Sequence, residues 1–288
     1  MDQNRKATVF IMLGQSNAVG HDLPMRREDY ITTPLTDVFG LHREENQSFD
    51  VTHLTWRGYE SGGMNLAEEQ DHTYSVPNCL ARQWQDAIDN GQPLPPLYIL
   101  QIAIGAEGVT EEYMWHPARK QRLIPGPLGT VDISLFPFAK HIFSLLDGSL
   151  PNGYEIIGLH WRGGENDVTA TTEHLTTRLQ QIYETIFEEF NTLLHTPPVV
   201  LHKLVCPDRM HAMDPTGGYL KNMDIINTVF DRLATTYKNV TVFDPRTAPQ
   251  FSPNVCGNGI FKEDLVHFTE EVNQWVARRI LEGYTHEL

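Results

Sequence analysis

Two hydrophobic periods alternate along this chain, and the alternation leaves few folds open. Continuous apolar runs occur at Thr8–Leu13, Leu97–Ile104, Tyr154–Trp161, Val199–Val205 and Val240–Phe243. Runs of this kind, rich in β-branched residues, mark strands buried on both faces. Between them, apolar residues recur at steps of three and four, which gives a helix one apolar face. Leu175, Leu179, Ile182, Ile186, Phe190 and Leu193 form one such stripe, and Leu135, Phe138, Ile142, Leu145 and Leu146 another. Shorter stripes run through Leu80, Trp84 and Ile88, through Ile225, Val229 and Leu233, and through Val272, Val276 and Ile280. Strand and helix in alternation predict a parallel sheet covered on both faces. The expected fold class is therefore α/β, a three-layer α/β/α sandwich around a central, mainly parallel sheet.

Three stretches interrupt the rhythm: residues 21–74, 107–133 and 207–218. The first is polar, holds Gly62-Gly63 and has no clear helical stripe, so it reads as an excursion over one end of the sheet. No linker, repeat or low-complexity tract divides the chain, and residues 1–288 are expected to form one domain. Hydrophobic residues make up 40% and charged residues 20%, a balance that favours a packed core over disorder.

Charge narrows the partners. Lys and Arg number 22 against 37 Asp and Glu, a net charge of −15. A nucleic-acid binder needs a basic footprint, and an anionic membrane surface attracts basic segments, so neither partner is expected. The three cysteines, Cys79, Cys206 and Cys256, are too few and too widely spaced for a disulfide framework or a metal knuckle. No carboxylate or histidine set has metal-ligand spacing, and no glycine loop fits a dinucleotide or a P-loop. Neither metal nor cofactor is expected. The first apolar run is too short for a secretory leader, which leads to a cytoplasmic expectation.

In an open α/β sheet, ligands sit beyond the carboxyl ends of the strands. Three polar clusters fall at such ends or just ahead of the last helix: Gly14-Gln15-Ser16-Asn17, Gly164-Glu165-Asn166-Asp167, and Asp264-Leu265-Val266-His267. Each alone has an ordinary reading. Ser16 suits a helix cap, Asn166 and Asp167 suit a turn, and Asp264 with His267 suits a surface ion pair. Together they contain the parts of a nucleophilic site. A serine hydroxyl needs a base, the base is usually histidine, and a carboxylate orients that histidine. Asp264 lies three residues before His267 and can fold back on Nδ1, leaving Nε2 for Ser16. Gly105 and Ala106 follow the second strand and offer backbone N–H donors for an oxyanion. Asn166 offers a side-chain amide.

These blocks resemble those of the SGNH hydrolases. Val9–Ala18, with Gln15 before Ser16, is similar to the first block of the carbohydrate-esterase branch, the sialate O-acetylesterases and family 6 acetylxylan esterases. Ala103–Glu112 followed by Trp115 resembles the second block, usually a Gly-Gly-Thr run leading to a tryptophan. His160–Asp167 resembles the third, and Asp264–Glu271 the closing Asp-x-x-His block. The resemblance runs from residue 9 to 271. It implies an acetylesterase with Ser16 as nucleophile, His267 as base and Asp264 as its orienting acid. It implies oxyanion donors at the Ser16 backbone, at Gly105 and at Asn166, with Gln15, Asn17, Glu165 and Trp115 toward the substrate. Glu165 is better read as a carboxylate that holds a backbone turn than as a catalytic group. Trp56 and Trp161 are further candidates to stack on a sugar, with core packing an equal reading for Trp161, which ends a buried run.

Two positions depart from the pattern. Gly163 stands where this branch usually has a glutamine donor, and the third block fits either Trp-x-Gln-Gly-Glu-x-Asp or Gly-x-Asn-Asp. Ala106 stands where a second glycine is usual, which matters if the backbone there needs φ > 0. The expected activity is hydrolysis of O-acetyl esters on carbohydrates through an acyl-enzyme. The rival readings are a carbohydrate-binding protein on the same scaffold with little or no catalysis, and a short-chain lipase or thioesterase.

Overall fold

The computed structural model describes residues 6–68, 72–119, 134–150, 152–168, 175–205 and 217–287. Residues 120–133 of the 107–133 stretch and residues 207–216 of the 207–218 stretch, Cys206 beside them, lie outside the described residues. Seven strands form one sheet in the order β3-β2-β4-β1-β5-β6-β7. They are β1 (Ala7–Gly14), β2 (Val38–Leu41), β3 (Trp56–Gly58), β4 (Leu97–Ala103), β5 (Tyr154–Arg162), β6 (Val199–His202) and β7 (Val240–Phe243). All pairings are parallel except β2 with β3. The five strands expected from the apolar runs are all present.

Residues 21–74 correct the expectation of a bare excursion, because they supply β2 and β3 and extend the sheet at one edge. Both strands are too short to print a period on the sequence. The outermost, β3, is only partly buried, as edge strands often are.

The α-helices among the described residues are α1 (Ser16–Val19), α2 (Arg43–Asn46), α3 (Val76–Asp89), α4 (Leu135–Ser144), α5 (Leu146–Ser149), α6 (Leu175–Leu193), α7 (Gly218–Thr236) and α8 (Glu270–Glu287). Successive residues of β1 face opposite sides, as strand geometry requires. Val9, Ile11 and Leu13 join one core with apolar residues of α4, α6 and α7. Phe10 and Met12 join the other with residues of α3 and α8. The α3 start is fixed locally: the Ser75 hydroxyl accepts the Asn78 N–H at 3.2 Å, and Pro77 occupies the first turn. None of the described helices is long and apolar enough to cross a membrane.

The strand order makes β1 the switch point. On one side of β1 lie β4, β2 and β3, with β4 placed last between β1 and β2, and on the other the chain builds outward through β5, β6 and β7. A crevice at the carboxyl end of β1 is where such sheets bind ligands.

Candidate active site

Register brings the polar blocks together. Gly14 lies opposite Ala103 of β4 and opposite Arg162 of β5. Ser16, Gly105 and Gly164 each follow two residues past that aligned row. Gly14 itself has φ +142°, and a Cβ there would come within 2.0 Å of the Arg162 carbonyl oxygen, so the approach of β1 to β5 needs a glycine. Ser16 opens the single turn α1. The cap position belongs to Gln15, with no side-chain capping bond, so the serine hydroxyl is not spent as a helix cap.

Asp264 and His267 form a self-contained unit. Asp264 Oδ1 accepts the backbone N–H groups of Val266 and His267 at 2.9 and 3.0 Å. Its Oδ2 lies 2.7 Å from His267 Nδ1. Burial alone would raise the Asp264 pKa, but the two N–H donors and the ring bond overcome it and hold the carboxyl below its ordinary value. The turn is tight enough to put Leu265 at φ +62°.

Asn17 ties this unit to the nucleophile turn. Its Nδ2 donates to the Val266 carbonyl at 3.1 Å, and its Oδ1 accepts the Phe268 N–H at 3.1 Å. One amide thus grips the residues on both sides of His267 from the position next to Ser16. The same Nδ2 donates to Glu165 Oε1 at 2.7 Å. Expected near the substrate, Asn17 and Glu165 instead join the first, third and closing blocks.

Arg162 lies beneath this junction and was not anticipated. It is 2% exposed, and its Nη1 donates to the Asn17 carbonyl at 3.2 Å and to Asn273 Oδ1 at 2.6 Å. Its guanidinium sits 4.3 Å from the centre of the Phe268 ring. Burial lowers its pKa to about 10, against the pull of Glu165. An arginine at the end of a buried run was a usable signal, because arginine is almost never buried without partners.

The third block holds the glycine block from below. Asp167 is fully buried, and its Oδ1 accepts the N–H groups of Val109 and Thr110 at 2.9 and 3.1 Å. A Cβ on Gly108 would meet that oxygen at 2.4 Å, so the approach needs a glycine. Burial pushes the Asp167 carboxyl up to about 7. Asn166 follows Glu165 in the same turn and is half-buried. Gly163 packs against the nucleophile turn: a Cβ there would sit 3.5 Å from Gly14 Cα and 3.6 Å from the Gln15 nitrogen.

Several expected contacts fall elsewhere. Trp115 is fully buried, and its indole N–H donates to the Gly14 carbonyl at 3.1 Å. It braces β1 and presents no face to a sugar. Trp161 is buried against Trp115 and Tyr183. Trp56 packs edge-on to Tyr98 on the outer strand, and Gln15 is 1% exposed. Ala106 does adopt a left-handed backbone, φ +59°. The Gly105 N–H donates to Glu68 Oε2 at 2.5 Å. His21 was also missed: its ring centre lies 5.2 Å from that of His267. Among the described residues, Asp22 brings a carboxylate oxygen within 4.8 Å of ligand atoms of Asp264 and His267. A cavity of about 800 Å³ lies between the β5–β7 side of the sheet and α8, and none of Ser16, Asp264 and His267 lines it.

No protein-family model matches the sequence, and no curated protein matches it either. Solved structures do. A protein of Arabidopsis thaliana superposes with a TM-score of 0.60 at 15% identity, covering 98% of this chain and 99% of that one. NanS gives 0.60 at 14% identity and 98% coverage of both. A member of the lipolytic G-D-S-L family from Veillonella parvula gives 0.42 at 12% identity, covering 97% of this chain and 98% of that one. At these identities the likeness is one of fold: the Arabidopsis thaliana protein and NanS share the α/β architecture of this chain over nearly its whole length.

Proposed function

We propose that this protein is a serine esterase that removes O-acetyl groups from carbohydrates. The observation that carries the reading is the grip of Asn17 on both neighbours of His267, which ties an aspartate-paired imidazole to the turn bearing Ser16. Ser16 Oγ attacks the acetyl carbonyl carbon while His267 Nε2 takes the hydroxyl proton. Asp264 holds the Nδ1–H tautomer and stabilises the imidazolium. The Ser16 N–H, the Gly105 N–H and the Asn166 amide are the donors for the oxyanion. Collapse of the tetrahedral adduct breaks the ester C–O bond, and His267 returns its proton to the departing sugar oxygen. Water then attacks the acyl-enzyme with His267 as base, releasing acetate and restoring Ser16.

Support for a short acyl group comes from the surroundings. Val109 and Trp115 are fully buried, and Met114 beside Trp115 is half-buried, an apolar side chain among the described residues within reach of a short acyl group. Each CH₂ of a longer chain gains about 0.8 kcal/mol only where apolar surface receives it. A p-nitrophenyl ester series is expected to fall in kcat/KM from acetate to octanoate; a steady climb would point to a lipase.

One observation favours the non-catalytic alternative, a carbohydrate-binding protein: the Gly105 N–H already has a carboxylate partner. Pre-steady-state hydrolysis of p-nitrophenyl acetate separates the two. An esterase gives a burst of p-nitrophenol matching the enzyme concentration, abolished in Ser16→Ala with the fold intact. Turnover that survives in Ser16→Ala sinks the mechanism, and absence of any acyl-enzyme favours the binder.

A further inference from the structure

Glu68 occupies a position that the proposed reaction needs vacated. Its Oε2 accepts the Gly105 N–H at 2.5 Å, and its Oε1 lies 3.9 Å from His21 Nδ1. The side chain is 23% exposed, so substrate can reach it. His21 in turn belongs to the nucleophile turn, where its N–H donates to the Ser16 carbonyl at 3.0 Å, and its ring adjoins that of His267. A carboxylate therefore sits among the oxyanion donor, the nucleophile turn and the base.

The developing oxyanion and the Glu68 carboxylate are both anions and compete for one N–H. If Glu68 stays, the donor is lost to the reaction and a like charge stands beside the forming oxyanion. If it leaves, it gives up a charge-assisted bond to the Gly105 N–H, and a new donor to the same oxygen offsets that loss. A sugar supplies such donors in the hydroxyls next to the ester. An aryl ester supplies none. His21 stands within reach of the displaced carboxylate on the other side.

We propose that Glu68 is a specificity-determining residue: a free hydroxyl beside the acetylated position of the sugar takes Glu68 as its hydrogen-bond acceptor and draws it off the Gly105 N–H, so that the oxyanion site is completed only by a partly acetylated carbohydrate. The inference rests on the esterase reading above and names the feature of the substrate that this site selects. It couples recognition to the transition state, so the preference resides in kcat as well as KM.

The test compares three esters in the parent, Glu68→Gln and Glu68→Ala: p-nitrophenyl acetate, a mono-O-acetyl methyl xyloside with free neighbouring hydroxyls, and the per-O-acetylated xyloside with none. The parent should prefer the mono-acetylated sugar over the per-acetylated one, per ester group. A hydrogen bond to a charged group is worth about tenfold or more, so both variants should gain about tenfold in kcat/KM on the aryl acetate. The ratio of mono- to per-acetylated rates should collapse toward unity. Thermal melting and labelling of Ser16 by a fluorophosphonate report whether each variant keeps its fold and nucleophile. Variants that melt like the parent but lose rate on all three esters show that Glu68 aids the reaction, and overturn the proposal. So does an unchanged ratio, or a rate on the aryl acetate that does not rise. Should neither variant fold, the parent's preference for the mono-acetylated sugar decides alone, and its absence overturns the proposal. Hydrolysis by the parent that Ser16→Ala does not reduce defeats the esterase reading itself, a separate outcome that removes this proposal with it.

Discussion

The Asp264–His267 turn and the loop over Asp167 are organised by the same device with opposite consequences. In each, one carboxylate oxygen accepts two consecutive backbone N–H groups at close to 3 Å: Val266 and His267 in the first, Val109 and Thr110 in the second. The Asp264 side chain remains 35% exposed and adds the His267 ring as a third partner. Asp167 is fully buried, and its Oδ2 has no hydrogen-bond partner among the described residues. The two N–H donors together with the His267 ring keep a partly hydrated carboxyl below its ordinary pKa, whereas the hydrogen bonds from Val109 and Thr110 do not offset complete burial. The exposed unit is suited to handle protons. The buried one is suited to hold a loop, and near neutrality it carries a proton part of the time.

The largest expected effect breaks the exposed half of this pair. Asp264→Asn keeps the size of the side chain but favours the wrong imidazole tautomer, so kcat should fall by about 10⁴-fold. The melting temperature should move little, since the turn sits at the surface. A fall of less than about tenfold would assign His267 another orienting group.

Asp167→Asn breaks the buried half and should act on stability rather than on chemistry. The folded-state pKa is raised, so the folded chain binds this proton more tightly than the unfolded chain does. The stability it contributes is fully present below the unfolded value of about 4 and is lost as pH rises through about 7. A shift of this size corresponds to a loss on the order of 4 kcal/mol across the window. Urea unfolding at pH 4 and pH 8 should therefore show the parent weakening relative to Asp167→Asn as pH rises. A difference between the two proteins that stays constant with pH would show that Asp167 does not titrate in this range.

The same contrast explains how much of the molecule could be read from sequence. The five central strands and the long helices were legible because burial on both faces prints continuous apolar runs, and burial on one face prints steps of three and four. Strands β2 and β3 have only four and three residues and no period to print. At the site, Asp264 and His267 were legible because their contact is local, three residues apart. The links that Asn17, Glu165 and Trp115 make were not legible for the opposite reason: their partners lie more than a hundred residues away. Polar residues in a functional block read as ligands for substrate until the structure shows that they bind other blocks. Glu68 lies in a stretch without pattern, and no local signal connects it to Gly105.

Backbone strain gives the finest comparison of the two loops, because each contains one non-glycine residue in the left-handed region: Leu265 at φ +62° and Ala106 at φ +59°. An L-residue pays roughly 1–2 kcal/mol there, and glycine pays nothing. The two sites differ in what the side chain returns. Leu265 is 6% exposed, so Leu265→Gly removes a buried side chain worth about 2–3 kcal/mol or more and should destabilise by about 1–2 kcal/mol net. Ala106 is exposed and returns almost no burial. Ala106→Gly relieves the strain but adds about 0.4–1 kcal/mol of unfolded-state freedom, leaving a net gain of roughly 0.5–1 kcal/mol. Chemical denaturation of the two variants beside the parent reads both signs at once. A loss of stability in Ala106→Gly would mean that the glycine block is held in its conformation by the Asp167 bonds at no strain cost.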